Sequence, residues 1–209
     1  MKIKNLIIFT AITFIFSSCS SFALIKIDDN SIDLAIRYYL KTQGSSSEYD
    51  LGSNWKNDGK GRILNIYSPF IQIVMKSTNK GVTGNLEEDV KNIKTRLSNE
   101  ITKIKTKNEV RFIVALYGDN SGFAQKYKAS IVEAEYIDPS KIKKALLPKS
   151  ANIQKVAEKD SFDPSHPFSA VNCYIYKFDD IFKLKNFVFI LSSENGEEIK
   201  YKINSKEIY

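Results

Sequence analysis

His166 is the single histidine in a chain of 209 residues. That alone removes most Ser-His-Asp and Cys-His designs and every multi-histidine metal site. Asp163 and His166, with Asp160 nearby, are weak metal-ligand candidates on one loop. The same run, Asp-Ser-Phe-Asp-Pro-Ser-His-Pro, reads better as turn chemistry. Paired carboxylates would offer a second chemistry, that of glycoside hydrolysis. Glu133 with Glu135, and Asp179 with Asp180, are the pairs at hand. Spacing alone sets neither pair opposite a partner at a working separation. Gly84, Gly118 and Gly122 form no phosphate-binding fingerprint. No catalytic residue, metal or cofactor is therefore assigned, and the reading leans away from an enzyme.

Residues suited to contact are easier to find than residues suited to catalysis. Trp55, the only tryptophan, lies in a stretch rich in Ser, Gly, Asn and Asp between Ser45 and Arg62. A tryptophan on a long loop can anchor a ligand or partner, or tuck back to pin the loop. Tyr174, Tyr176 and Tyr201 lie on strand-like segments, where Tyr can offer a stacking face or fill a core. Cys173 shares an alternating face with Val171 and Ile175, which predicts a buried, inert thiol.

The amino terminus carries the sharpest pattern. Lys2 and Lys4 precede an uncharged apolar run, Leu6–Phe16, followed by Ser17, Ser18 and Cys19. A short positive start, a brief apolar stretch and small residues describe a secretory signal peptide. The run is too short to cross a bilayer, which takes about 20 apolar residues. Phe16-Ser17-Ser18-Cys19 resembles the lipobox of bacterial lipoproteins, with Phe where Leu is usual. The resemblance covers only the first 20 or so residues. It implies that Cys19 becomes the first residue of the mature chain and carries lipid, several acyl chains in that class. It also implies a membrane-anchored location in the cell envelope. Ser20 after the cysteine favours the outer membrane in organisms that resemble enteric bacteria. The alternative is cleavage after Ala23 in Ser21-Phe22-Ala23, which would release a soluble secreted or periplasmic protein.

Removing residues 1–18 leaves 191, enough for one domain that buries about 70% of its unfolded surface without a disulfide or metal. The formal charge of +7 loses Lys2 and Lys4, giving 7 − 2 = +5. That excess is dispersed lysine, with no arginine block, so nucleic acid is not an expected partner. Weak attraction to anionic headgroups or acidic polymers is the most it implies.

Residues 19–28 are expected to be a tether and 29–209 a single globular domain. Ile32, Ala35, Ile36, Tyr39 and Leu40 recur at helical spacing between Ser31 and Gln43. Ile63–Tyr67 reads as a strand, and Ser68-Pro69 as the capped start of a helix, with a continued strand through Met75 as the rival. Leu86, Val90, Ile93, Leu97, Ile101 and Ile104 fall within an arc of about 80° at 100° per residue. They predict one helix over 85–107, docked on a sheet or forming a partner seam. Val110–Tyr117 alternates with both faces largely apolar, which predicts a central strand. A five-residue turn then predicts a hairpin with a strand over Ala124–Tyr136. A short helix over Asp138–Leu146 and a weak strand over Asn152–Ala157 follow. Ala170–Phe178, Asn186–Ser192 and Glu198–Asn204 read as strands, the last two joined through Asn195-Gly196 as a type I′ turn.

The expected fold is α+β and β-rich, an antiparallel sheet or β-sandwich of about five to seven strands with two or three packed helices. The expected function is a lipid-anchored, non-catalytic envelope module binding a protein or a glycan. A structural subunit using the 85–107 stripe, or less favoured a carboxylate-dependent hydrolase, are the alternatives.

Overall fold

The computed structural model describes residues 24–42, 63–77, 82–133, 145–159, 165–205 and 208. Within them the chain forms two antiparallel sheets and five α-helices, an α+β fold. Sheet A runs β1 (Ile63–Tyr67), β2 (Glu109–Gly118), β6 (Phe168–Lys177) and β4 (Ser150–Asn152), with β5 (Glu158–Lys159) also pairing β6. Sheet B runs β3 (Lys128–Glu133), β7 (Asn186–Ser192) and β8 (Glu198–Asn204). The helices are α1 (Asp29–Thr42), α2 (Pro69–Lys76), α3 (Leu86–Arg96), α4 (Ser98–Lys107) and α5 (Phe178–Phe182).

The two sheets pack face to face. Val110, Phe112, Val114 and Leu116 of β2 alternate inward, as do Phe187, Phe189 and Leu191 of β7. The Phe112 and Phe189 rings stack at 4.9 Å across the sandwich. Tyr127, Ala129 and Ile131 supply the edge of the same core, and Ile199, Tyr201 and Ile203 the opposite edge.

A second hydrophobic cluster is helical. Ile32, Ala35 and Ile36 of α1 meet Phe70, Ile71, Ile73 and Val74 of α2 and the stripe of α3 and α4. α1 begins with a reciprocal cap: the Asp28 carboxylate accepts from Ser31 N–H at 2.8 Å, and Ser31 Oγ accepts from Asp28 N–H at 2.8 Å. Ser68 caps α2 by accepting from Ile71 N–H, and Pro69 occupies the first turn, so this segment is helix and not a continued strand.

Three expectations are corrected. The stripe of 85–107 is not one helix. It breaks at Leu97 (φ −89°, ψ 3°) into α3 and α4, with no glycine or proline at the break. α3 packs on α1 and α4 on α2, so the turn lets one apolar row follow two partners. From Val90 to Ile104 that row is buried in the helical cluster, chiefly against α1 and α2 rather than across a sheet. Nor do β2 and β3 form a hairpin, because β3 pairs β7 in the other sheet. A 3-10 turn, Phe123–Lys126, carries the chain across. It seats Phe123 beneath Gly118, where a Cβ would come within 2.4 Å of the ring. Finally, the β7–β8 loop is not type I′. Gly196 alone takes positive φ (84°), with Gly196 N–H donating to Ser193 O and Ser193 N–H to Glu197 O. That is the longer hairpin built on a turn followed by a left-handed glycine.

The segment expected to be helical before Leu146 lies mostly outside the described residues. The weak strand expected over 152–157 is not formed: only Asn152 belongs to β4, residues 153–157 are an irregular strap, and β5 begins at Glu158. The tether also shortens: Leu24 is 4% exposed in the sandwich core, and Ile25 and Ile27 pack on the helical cluster.

Candidate functional site

The residues singled out for chemistry do not converge. Trp55, Asp160, Asp163 and Glu135 lie outside the described residues. His166 is half-buried, with Nδ1 3.1 Å from Ser165 Oγ. Among the described residues no three His, Cys, Asp or Glu side chains are grouped to hold a metal. Glu133 ends β3 opposite Phe187. Asp179 accepts a hydrogen bond from Asn108 Nδ2 at 3.3 Å. Asn108 is the left-handed cap of α4 (φ 46°), and its carbonyl accepts from Phe178 N–H, which makes it a joint between helices and sheet.

Tyr174 and Tyr176 are each 1% exposed and face the interior, so they form no stacking surface. Even-numbered residues of β6 point inward in register with Val110 and Phe112. Tyr174 belongs to a buried polar network. Its hydroxyl donates to Tyr127 O at 3.0 Å and accepts from Asn172 Nδ2 at 3.2 Å. Asn172 Nδ2 also donates to Ala124 O at 3.0 Å, and Asn172 Oδ1 accepts from Gln154 N–H at 3.1 Å. Burial pushes the Tyr174 hydroxyl up to about 12. Burial raises Tyr176 as well, and among the described residues its hydroxyl has no hydrogen-bond partner.

The odd-numbered residues of β2 and β6 face the other way. Directly opposed residues of antiparallel strands share a face, so the register assembles a surface row by row. Tyr67, Arg111, Ile175 and Ser150 form one row. Asn65, Ile113, Cys173 and Asn152 form the next, and Ala115 with Val171 the third. Most of these side chains are half-buried, and Val171 is 52% exposed. Arg111 stands out. Among the described residues its Nε is buried without a hydrogen-bond partner and its guanidinium joins no ion pair. Glu109, next along the strand, is taken by Lys149 at 2.9 Å. Cys173 sits in this face, where burial raises its thiol above the ordinary value, which suits an unreactive sulfur.

An open groove of 740 Å³ adjoins the face, lined by Gln125, the 151–155 strap and Val171. Its glutamines are committed to the fold. Gln154 Oε1 accepts from Val171 N–H at 2.8 Å, and Gln125 Nε2 donates to Lys155 O. The strap thus completes β6 with a side chain where the ladder lapses.

The face was not legible as a site beforehand. The sequence carries one signal, that the outward set of β2 (Glu109, Arg111, Ile113, Ala115, Tyr117) mixes charge with apolar residues. The register with β1 and β6, which places Tyr67 and Ile175 beside Arg111, is a long-range property. No protein-family model matches the chain, and no curated protein matches it in sequence.

Proposed function

We propose that this chain is an exported, lipid-anchored, non-catalytic module of the bacterial cell envelope, held by Cys19, and that it binds a partner protein through the outer face of sheet A. A glycan is the second class of ligand. The observation that carries the binding reading is Arg111. A guanidinium whose buried Nε has no hydrogen-bond partner among the described residues, set among Tyr67, Ile113 and Ile175, has the composition of an interface core, where aromatic residues and arginine are enriched. Protein is preferred to glycan because Tyr174 and Tyr176 lie inside the sandwich, which removes the stacking platform they would have supplied. From Val90 to Ile104 the stripe of α3 and α4 packs on α1 and α2, which weighs against the structural-subunit alternative, and only Leu86 of that stripe is exposed.

Two measurements test the reading. Intact mass and detergent partitioning of the exported protein, beside Cys19→Ala, test the anchor: added lipid mass in wild type only supports it, and two unmodified aqueous proteins refute it. Site-specific photocrosslinking in the intact envelope tests the face. A defined adduct from position 171, abolished by Arg111→Glu and absent from position 200, supports it. Equal labelling from both positions refutes it.

A further inference from the structure

The anchor and the fold meet at Leu24. If Cys19 is the first mature residue, five residues (Cys19–Ala23) separate the lipid from a side chain locked in the sandwich core. At about 3.5 Å each when fully extended, they reach about 17 Å. Whatever surrounds Leu24 is therefore held close to the headgroups. Lys26 is exposed there, with Nζ 5.5 Å above the ring of Phe182. Phe182 is 42% exposed at the end of α5, and Lys183 and Lys185 follow it, both exposed. None of the three lysines joins an ion pair among the described residues. Of the acids nearby in sequence, Asp29 pairs with Lys105 at 3.2 Å, whereas Asp28, which caps α1, and Asp179 and Asp180 of α5 keep their charge.

We infer that Lys26, Phe182, Lys183 and Lys185 form a membrane-facing patch that rests on anionic lipid headgroups beside the anchor. The inference deepens the proposed anchoring at Cys19 and takes its geometry from it. Lysines near an anionic leaflet are attracted within a Debye length of roughly 10 Å, and an exposed aromatic ring suits the interfacial zone. With the patch seated, the domain is oriented and not merely leashed.

The test separates patch from anchor. The mature chain from Ser20 onward, without lipid, keeps Leu24 and all that packs on it. It is co-sedimented with phosphatidylcholine vesicles with and without phosphatidylglycerol. Binding is expected only to the anionic vesicles, weakening about fivefold for each of Lys26→Gln, Lys183→Gln and Lys185→Gln, and further with Phe182→Ala or added salt. Equal binding to both vesicle types, or no loss in the triple lysine variant, overturns the patch even where the mass of the exported protein shows lipid on Cys19. Anionic binding that the triple variant loses upholds the patch even where that mass shows no lipid.

Discussion

The sandwich and the helical cluster bury apolar surface in different ways. The sandwich is filled with rings: Phe189 lies 4.9 Å from Phe112, 6.0 Å from Tyr174, 6.1 Å from Tyr201 and 6.5 Å from Tyr176. The helical cluster is mostly branched aliphatics around Phe70, fenced by ion pairs such as Arg37 with Glu87 and Lys94 with Asp33. Its members lie within residues 25–104, whereas the sandwich joins Leu24 to Ile208. One core rests on shape-specific contacts between distant strands. The other rests on the periodicity of neighbouring helices.

The largest effect is therefore expected at Phe189. Phe189→Ala should cost about 3–5 kcal/mol, since it removes a fully buried ring from four ring contacts. Ile73→Val in the helical cluster should cost about 0.5–1.5 kcal/mol. Urea unfolding followed by far-ultraviolet circular dichroism measures both. A cost below that of Ile73→Val would mean that the rings are not what binds the two sheets.

The polar network comes next. Asn172→Ala strands Gln154 N–H and Ala124 O and takes a donor from Tyr174, so about 2–3 kcal/mol is expected. The two tyrosines of β6 then sharpen the point. Tyr174→Phe loses a bond to Tyr127 O and should cost about 1 kcal/mol. Tyr176→Phe removes a buried hydroxyl that has no partner among the described residues, and should be neutral or stabilising by up to about 1 kcal/mol. Equal and opposite tyrosine results in the same unfolding assay would reverse the assignment of which hydroxyl is satisfied.

The same contrast explains what could be read in advance. Helical periodicity is local, so α1, the Ser68 cap and the Asn85 start of α3 were all visible in runs of a dozen residues. So were β7 and β8, whose ends match the alternation of Asn186–Ser192 and Glu198–Asn204. Pairing is not local. Nothing within Val110–Tyr136 tells β2 to seek β1 and β6 while β3 crosses to β7, because the partner strands, 63–67, 168–177 and 186–192, are all distant in sequence. The break at Leu97 likewise answers to α1 and α2 and not to its own residues. The candidate face inherits this limit. For Tyr174 and Tyr176 the sequence favours core packing over a stacking face, but it is the register that sends them inward and Arg111 outward.

A smaller effect is expected where the helical cluster meets its entry loop. Asp89 accepts from Thr83 N–H at 2.6 Å, Thr83 Oγ1 at 2.9 Å and Gly84 N–H at 3.1 Å. The Thr83 backbone N–H, foremost among these, lowers the carboxyl below its ordinary value of 3.8. A depressed folded value means that the unfolded chain binds the proton more readily. The contribution is therefore fully present above the ordinary value and is lost as pH falls through the folded one. Asp89→Asn should lower the melting temperature at neutral pH, with the gap to wild type closing only below 3.8. A gap that stays constant down to the acid transition would show that the clasp works through geometry and not through charge.

The smallest effect should come from the ion pairs. Lys94 Nζ lies 2.7 Å from Asp33 Oδ1, yet both side chains are about one-third or more exposed (34% and 40%). Water and salt screen such a pair, and ordering two side chains offsets much of the attraction, so a coupling of about 0.2–0.5 kcal/mol is expected. A double-mutant cycle of Lys94→Met and Asp33→Asn, run in low and high salt, measures it, and the coupling should vanish in high salt. A salt-insensitive coupling above about 1 kcal/mol would put charge alongside the apolar stripe as the force that sets α3 on α1. The contrast between a core built on specific contacts and one built on periodicity would then have to be redrawn.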